Sequence, residues 1–436
     1  MAPTGRTALL AALGALVVGP VMPSWAGIAA VTGAVLLAVT ADLMLAAPVR
    51  TLRFARSGDT RVRTGESAEV ELTVTNPSRR PLRARIRDAW PPSAWHPGSS
   101  YRAARHTVTV PAGERRRLLT VLGPVRRGDH HAHRVTVRSH GPLGLAARQG
   151  SHHVPWTVRA LPPFTSRRHL PSRLARLREL DGRTSVLTRG QGTEFDSLRE
   201  YLPGDDVRSI DWRASARRNT VAVRTWRPER DRHILLVLDT GRASAGRVGD
   251  APRLDAALDA ALLLTALATK AGDRVDLLAH DRHRRAAVVG RSAADVLPAF
   301  TDAMAGLEPA LLETDQRALT AAALRMAPHR SLIVLLTGLD AASAEGGLID
   351  RMPQLARRHE VVVASVADPR LDELAAARGT VDAVYGAAAA EQTRADRRRT
   401  AERLTRLGAT VLDAPPAALP PALADAYLAL KAAGRL

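Results

Sequence analysis

The chain has 436 residues, enough for two or three domains with sizeable buried cores. Its formal net charge is +20, yet Lys occurs only at Lys270 and Lys431, so the basic charge is almost all Arg, scattered from end to end. No helical stretch concentrates that charge on one face and aromatics make up 3% of residues, which argues against nucleic-acid binding; a general attraction to anionic headgroups fits better. Cysteine is absent, which excludes disulfides and thiol chemistry.

From Thr7 to Ala41 no residue is charged, a run longer than the roughly 20 residues that one membrane span requires. Gly19-Pro20 and Pro23-Ser24 are turn residues, so the run divides into Ala8 to Met22 and Trp25 to Leu45, a hairpin of two transmembrane helices. The first is short and requires local thinning of the bilayer. Arg6 on one flank and Arg50, Arg53 and Arg56 on the other place both ends in the cytoplasm by the positive-inside rule. Arg6, the apolar stretch and Ser24-Trp25-Ala26 can also be read as a cleavable signal peptide; the second segment would still leave the soluble part inside. Asp42 reads as an interfacial carboxylate among headgroups rather than an intramembrane proton relay.

From residue 57 to 162 the apolar period is two. Val70, Leu72 and Val74 alternate with Glu69, Glu71 and Thr73, Val108 with Val110, and Val135 with Val137, between turn clusters such as Asn76-Pro77-Ser78 and Pro111-Ala112-Gly113. Short alternating strands at this spacing predict a β-sandwich of immunoglobulin-like type. His130, His131 and His133 beside Asp129, with His152 and His153 further on, have ligand chemistry, but neighbouring strand residues point to opposite sides and the spacing is not that of a metal site. They are expected to be exposed loop histidines. Leu170 to Leu180 reads as an amphipathic joint.

The segment Gly190 to Arg217 is dense in a different way. Phe195, Leu198, Tyr201, Ile210 and Trp212 are potential apolar anchors, and Glu194, Arg199, Glu200, Asp205, Asp206, Arg208, Asp211 and Arg217 can form carboxylate–guanidinium pairs. Pro203-Gly204 centres a tight turn. An ordered plug is expected, with Trp212 buried, so that its truncation to Ala would cost about 3–5 kcal/mol.

After residue 233 apolar strand runs (Ile234–Leu238, Val275–Ala279, Leu332–Leu336, Val361–Val366) alternate with Ala-rich helical segments (Leu254–Ala271, Ala293–Ala305, Leu319–Met326, Leu348–Arg358). That alternation predicts a mostly parallel sheet covered by helices on both faces. Asp239, Asp281, Thr337 with Asp340, and Asp368 then fall on one rim, at the carboxyl ends of the strands. Residues 388–407 read as a solvated helix, Ala409–Leu412 as a last strand and Pro420–Ala433 as a closing helix.

The order Gly-x-Glu-Phe, Leu-Arg-Glu-Tyr, Pro-Gly-Asp-Asp, Arg-x-Ile-Asp-Trp and Ala-Arg resembles the signature of a bacterial family known as domain of unknown function 58. Arg127-Gly128 and Pro142-Leu143-Gly144-Leu145 also resemble that family's Arg-Gly … Pro-Phe-Gly-Leu pattern, with Leu for Phe. The resemblance implies a membrane hairpin (1–50), a β-domain (57–162), a joint with the signature (163–232) and a von Willebrand factor A-like domain (233–436). It also implies a partner, a MoxR-type AAA+ ATPase. In such a domain the rim holds Mg²⁺ through Asp-x-Ser-x-Ser and later Thr and Asp ligands. Here the run is Asp239-Thr240-Gly241-Arg242-Ala243, both serines are missing, and Gly338 follows Thr337. No cofactor is expected; if Mg²⁺ bound, Asp239, Thr240, Ser244, Thr337 and Asp340 would hold it.

No nucleophile elbow, phosphate loop, His-Glu metal motif or Ser-His-Asp pattern is legible. The expected function is therefore that of a non-catalytic, membrane-anchored adaptor working with the ATPase in a chaperone-like assembly, its soluble domains cytoplasmic. A hydrolase or metal-dependent enzyme using the signature acids and the rim is the alternative, and a structural cell-envelope protein a second.

Overall fold

The computed structural model describes residues 2–21, 23–96, 104–187, 194–202, 205, 207–218, 220–227, 232–340 and 347–436, with backbone alone at 2, 181–187, 194–197, 218 and 224–227. The chain divides into two compact units at Pro163/Phe164.

The first unit opens with strand β1 (Ala2–Pro3) and two helices, α1 (Gly5–Val21) and α2 (Trp25–Leu45), which pack along each other. Ser24 caps α2 by accepting from the Gly27 N–H at 3.2 Å. Among the described residues one helix is long and apolar enough to cross a membrane, the one that begins at Trp25. At 17 residues α1 spans about 26 Å, short of the roughly 30 Å hydrocarbon core. The expectation of two spans is thus met for one helix.

The ends of both helices are tied to one β-turn. Asp42 is fully buried, and its carboxylate accepts the backbone N–H groups of Leu143 (2.8 Å), Leu145 (2.8 Å) and Ala146 (3.1 Å). Thr4 and Thr7 donate their hydroxyls to the Leu145 carbonyl, and Arg6 donates to that of Leu143 at 3.1 Å. A Cβ at Gly141 would lie 2.2 Å from Asp42 Oδ1, so only glycine lets the carboxylate reach the turn. Asp42 is therefore a structural latch, not a carboxylate among headgroups. Arg56 also departs from its expected place at the membrane flank. Its guanidinium is buried in a bidentate pair with Asp88 at 2.6 and 2.8 Å.

Among the described residues ten more strands follow: β2 (Arg53–Gly58), β3 (Arg61–Arg63), β4 (Ala68–Thr75), β5 (Leu82–Asp88), β6 (Arg105–Val110), β7 (Arg115–Leu122), β8 (Gly128–His131), β9 (Val135–His140), β10 (Ala146–His152) and β11 (Thr157–Leu161). They form sheets of order β1-β10-β9-β5-β6, β2-β4-β7 and β3-β11-β8. The period-two pattern places its apolar side inward: Val70, Leu72 and Val74 on β4 are wholly buried. Leu72 and Val74 meet Leu82, Ile86, Val135 and Val137 in one core, and Val70 meets Trp90, Trp95, Leu122 and Val158 in another. Of the histidines expected in exposed loops, His133 and His153 are there, and the others are not. His130 and His131 are on β8, and His130 is buried, with Nε2 2.9 Å from the Arg126 carbonyl.

The second unit begins with α3 (Leu170–Leu187). β12 (Glu194–Glu200) and β13 (Ala222–Arg227) then form an antiparallel hairpin with α4 (Trp212–Arg218) between them. Its centre is a sheet built from β14 (His233–Asp239), β17 (Arg274–His280), β18 (Arg284–Val288), β19 (Leu332–Leu336), β20 (Glu360–Val366) and β21 (Ala409–Ala414), in the order β18-β17-β14-β19-β20-β21. A short ribbon, β15 (Arg247–Val248) with β16 (Ala251–Pro252), lies apart from it. All pairings in the large sheet are parallel except that of β18. The helices are α5 (Arg242–Ala245), α6 (Arg253–Lys270), α7 (Val296–Ala305), α8 (Gln316–Met326), α9 (Ile349–Ala356), α10 (Arg370–Ala376), α11 (Val381–Arg406) and α12 (Leu419–Ala432). Alternate residues of β14 face opposite cores. Ile234, Leu236 and Leu238 meet α6, α7 and α12, whereas Leu235 and Val237 meet α8, α9 and α11. The continuous apolar strands are explained by this double cover.

Candidate functional site

Two places hold the residues singled out from the sequence: the carboxyl-end rim of the parallel sheet and the signature hairpin. At the rim Asp239, the last residue of β14, is buried, and its two oxygens are already occupied. Oδ1 accepts the Gly241 N–H at 2.8 Å and the Thr314 hydroxyl, and Oδ2 accepts the Thr337 hydroxyl at 2.5 Å. Burial pushes its carboxyl above the ordinary range, against the pull of those three donors.

The other candidate ligands turn elsewhere. Ser244 donates to the Asp239 carbonyl at 2.6 Å, Thr240 faces Asp281 at 3.4 Å, and Asp340 lies 3.8 Å from the Arg253 guanidinium. Arg242, whose positive charge stands within the run Asp239 to Ala243, is exposed and 3.7 Å from Glu313. Arg253, at the start of α6, supplies positive charge to the rim instead. Burial, then Arg397, holds its guanidinium below the usual range, against Asp340, Asp368 and Asp413. A Mg²⁺ ion needs open carboxylate oxygens, and both oxygens of Asp239 already carry a hydrogen bond; among the described residues no group of three or more His, Cys, Asp or Glu is placed to hold a metal.

Gly241 explains why. A Cβ there would sit 2.1 Å from Thr314 Oγ1 and 2.9 Å from the Leu312 carbonyl oxygen. The place of the missing serine is filled by the hydroxyl of Thr314, which reaches in from another loop. Sequence reading passed over Thr314; its position just before Asp315, the N-cap of α8, was the available signal.

At the opposite, amino-end edge the structure assembles a Ser-His-Asp group with no sequence motif behind it. His233 Nδ1 is 2.9 Å from Ser331 Oγ, and its Nε2 is 2.9 Å from Asp276 Oδ2. The three residues lie near the starts of adjacent parallel strands, which the predicted strand runs would have aligned. Ser331 donates its proton to the His329 carbonyl at 2.8 Å and is 5% exposed, so no nucleophile is presented. Burial pushes the Asp276 carboxyl up, but the bonds from His233 and the Gly290 N–H, with Arg274 nearby, outweigh it and hold the group below the ordinary range.

The signature residues are tied to one another as ion pairs and caps. Arg199 grips Asp205 with two bonds, Nη1 to Oδ2 at 2.7 Å and Nη2 to Oδ1 at 2.5 Å, and Asp205 also accepts the Leu202 N–H at 2.9 Å. Asp211 caps α4, accepting from the Arg213 and Ala214 N–H groups at 3.0 Å each. The Tyr201 N–H donates to the Val221 carbonyl at 2.8 Å, closing the base of the insertion. Glu200, Arg208 and Arg217 are exposed. Pro203, Gly204 and Asp206 lie outside the described residues, as do the side chains of Glu194 and Phe195.

The expected plug is not what forms. Trp212 is 70% exposed, and Leu202, Val207 and Val221 are exposed with it, while Leu198, Tyr201 and Ile210 are half-buried. The hairpin thus joins the Arg199–Asp205 pair and the Asp211 cap to several exposed apolar side chains.

Residues 197–409 match the model of a family described as "Protein of unknown function DUF58". The match begins inside the signature and leaves the N-terminal helices and β-unit outside, so it covers less of the chain than the sequence motifs suggested. "Uncharacterized protein YeaD" of Bacillus subtilis (strain 168) is 25% identical over 201 residues, covering 46% of this chain and 50% of that protein. "Uncharacterized protein Rv1480" of Mycobacterium tuberculosis (strain ATCC 25618 / H37Rv) is 29% identical over 190 residues, 42% of this chain and 58% of its own length. The chain thus spans about half the length of the curated relatives it matches. Among solved structures, the CARDB domain of the PF1109 protein from Pyrococcus furiosus aligns with 27% of this chain and 90% of its own, at 14% identity and a TM-score of 0.19, too low to bear on the fold.

Proposed function

We propose, from the premise that residues 197–409 belong to the DUF58 family, that the chain is a membrane-anchored interaction protein whose binding surface is the signature hairpin. The observation that carries this is the exposed group of Leu202, Val207, Trp212 and Val221 on a frame whose ion pair and caps are internally satisfied. Exposed apolar side chains that include a tryptophan have the composition of a protein-binding hot spot. The partner we assign is a MoxR-type AAA+ ATPase, and the immunoglobulin-like and von Willebrand factor A-like readings of the two units are part of the same proposal. We read the rim as working without metal; what supports that reading is that Asp239 already accepts three hydrogen bonds.

The anchor is read as a two-helix hairpin with both ends cytoplasmic. Support comes from the Asp42, Thr4 and Thr7 bonds to one turn, which bring the start of α1 and the end of α2 to the same side as the β-unit, and from the exposed Arg50 and Arg53 beyond α2. The test is affinity capture of the full chain from membranes in mild detergent. Recovery of an AAA+ ATPase in stoichiometric amounts is expected; its absence under conditions that preserve membrane complexes contradicts the assignment.

A further inference from the structure

His131 and His133 belong to one cluster in the sequence and His153 to another some twenty residues on, and the fold brings the three to one cavity. Its volume is about 550 Å³, and it is lined by Trp90, Pro91, Pro92, Ala132 and Arg134 as well as the three imidazoles. The backbone builds it from three directions. The Ala132 N–H donates to the Trp156 carbonyl at 2.9 Å and the His133 N–H to that of Ala89 at 2.8 Å, so residues 132–134 bridge two sheets, while His153 arrives from the end of β10.

The lining has two chemistries. Trp90 is nearly buried, its Nε1–H spent on Asp88 at 3.1 Å, and with Pro91 and Ala132 it forms an apolar floor. The wall is basic: His133, Arg134 and His153 are exposed, and among the described residues their side chains have no hydrogen-bond or ion-pair partner. His131 uses only Nδ1, which lies 2.9 Å from Thr157 Oγ1. No described carboxylate lines the cavity. The contrast with Arg56 and Arg159, each held bidentate by an aspartate, is direct.

We infer that this cavity binds a phosphate monoester carrying an apolar or ring-shaped body. Three imidazoles and a guanidinium spread donors around the wall, and the three terminal oxygens of a phosphate, with their greater charge, meet more of them at once than the two of a carboxylate. The volume suits a small organic ligand rather than a bare ion. Among the described residues the three imidazoles are not grouped as metal ligands.

The test is calorimetric titration of the full chain, in nanodiscs of zwitterionic lipid, with phenyl phosphate and with inorganic phosphate. Phenyl phosphate should give a one-site isotherm at micromolar to millimolar concentration and bind more tightly than inorganic phosphate. Arg134→Gln and His153→Gln, at exposed positions that leave the melting curve in place, should each weaken it about tenfold. Repeating the titration in nanodiscs containing phosphatidic acid separates the sources. Loss of phenyl phosphate binding there assigns the site to a lipid headgroup, retention to a soluble ester, and both uphold it. No isotherm, or one unchanged in the two folded variants, would overturn the site, and equal affinity for inorganic phosphate would overturn its apolar half.

Discussion

Asp239 and Gly241 illustrate how a single position closes a site. A serine at 241 would complete half of the metal pattern by sequence, yet its Cβ would collide with Thr314 Oγ1 and the Leu312 carbonyl. Gly241→Ser should therefore destabilise the second unit by about 1–3 kcal/mol through overpacking, read as a lowered melting temperature, and should not create Mg²⁺ binding in calorimetry. Asp276 gives a pH prediction of definite sign. Its folded pKa lies below the ordinary carboxylate value of about 3.9, so its contribution is fully present above that value and is lost as the pH falls through the folded pKa. Asp276→Asn should flatten the acid limb of the stability curve below about pH 4; an unchanged limb would show that other carboxylates dominate it. Little of this was legible beforehand. The missing serines were visible in the sequence, but Thr314 and the pairing of Arg253 with Asp340 depend on how loops far apart in the chain converge.

Elements were more legible than contacts. β4, β14, β19 and β20 fall where period-two or continuous apolar runs placed them, because burial on one or two faces writes directly into sequence. β18 escaped detection: Arg284-Arg285-Ala286-Ala287-Val288 is short and charged, as an edge strand can be. The signature misled in the opposite direction. Its aromatics and leucines looked like core, and only the hairpin geometry shows Trp212 facing outward. Asp42 was likewise read from its neighbourhood in sequence, whereas its partners lie about a hundred residues away. Replacing it by Ala would orphan three backbone donors, so Asp42→Ala should cost about 3 kcal/mol and speed hydrogen exchange at Leu143, Leu145 and Ala146. Protection unchanged at those amides would refute the latch.

For the whole molecule the central question is where the soluble part lies and what it meets. Because the chain has no cysteine, one introduced on the exposed face of the β-unit is a unique label. With the soluble part cytoplasmic, a membrane-impermeant maleimide should react only after the cells are opened; reaction in intact cells would reverse the topology. The interaction surface itself is tested most directly by Trp212→Ala. A residue 70% exposed should tolerate the change within about 0.5 kcal/mol, so the melting temperature should hold while capture of the AAA+ ATPase falls at least tenfold. A melting temperature lowered by several degrees, or capture left at the wild-type level, would contradict the assignment of the signature as the binding surface.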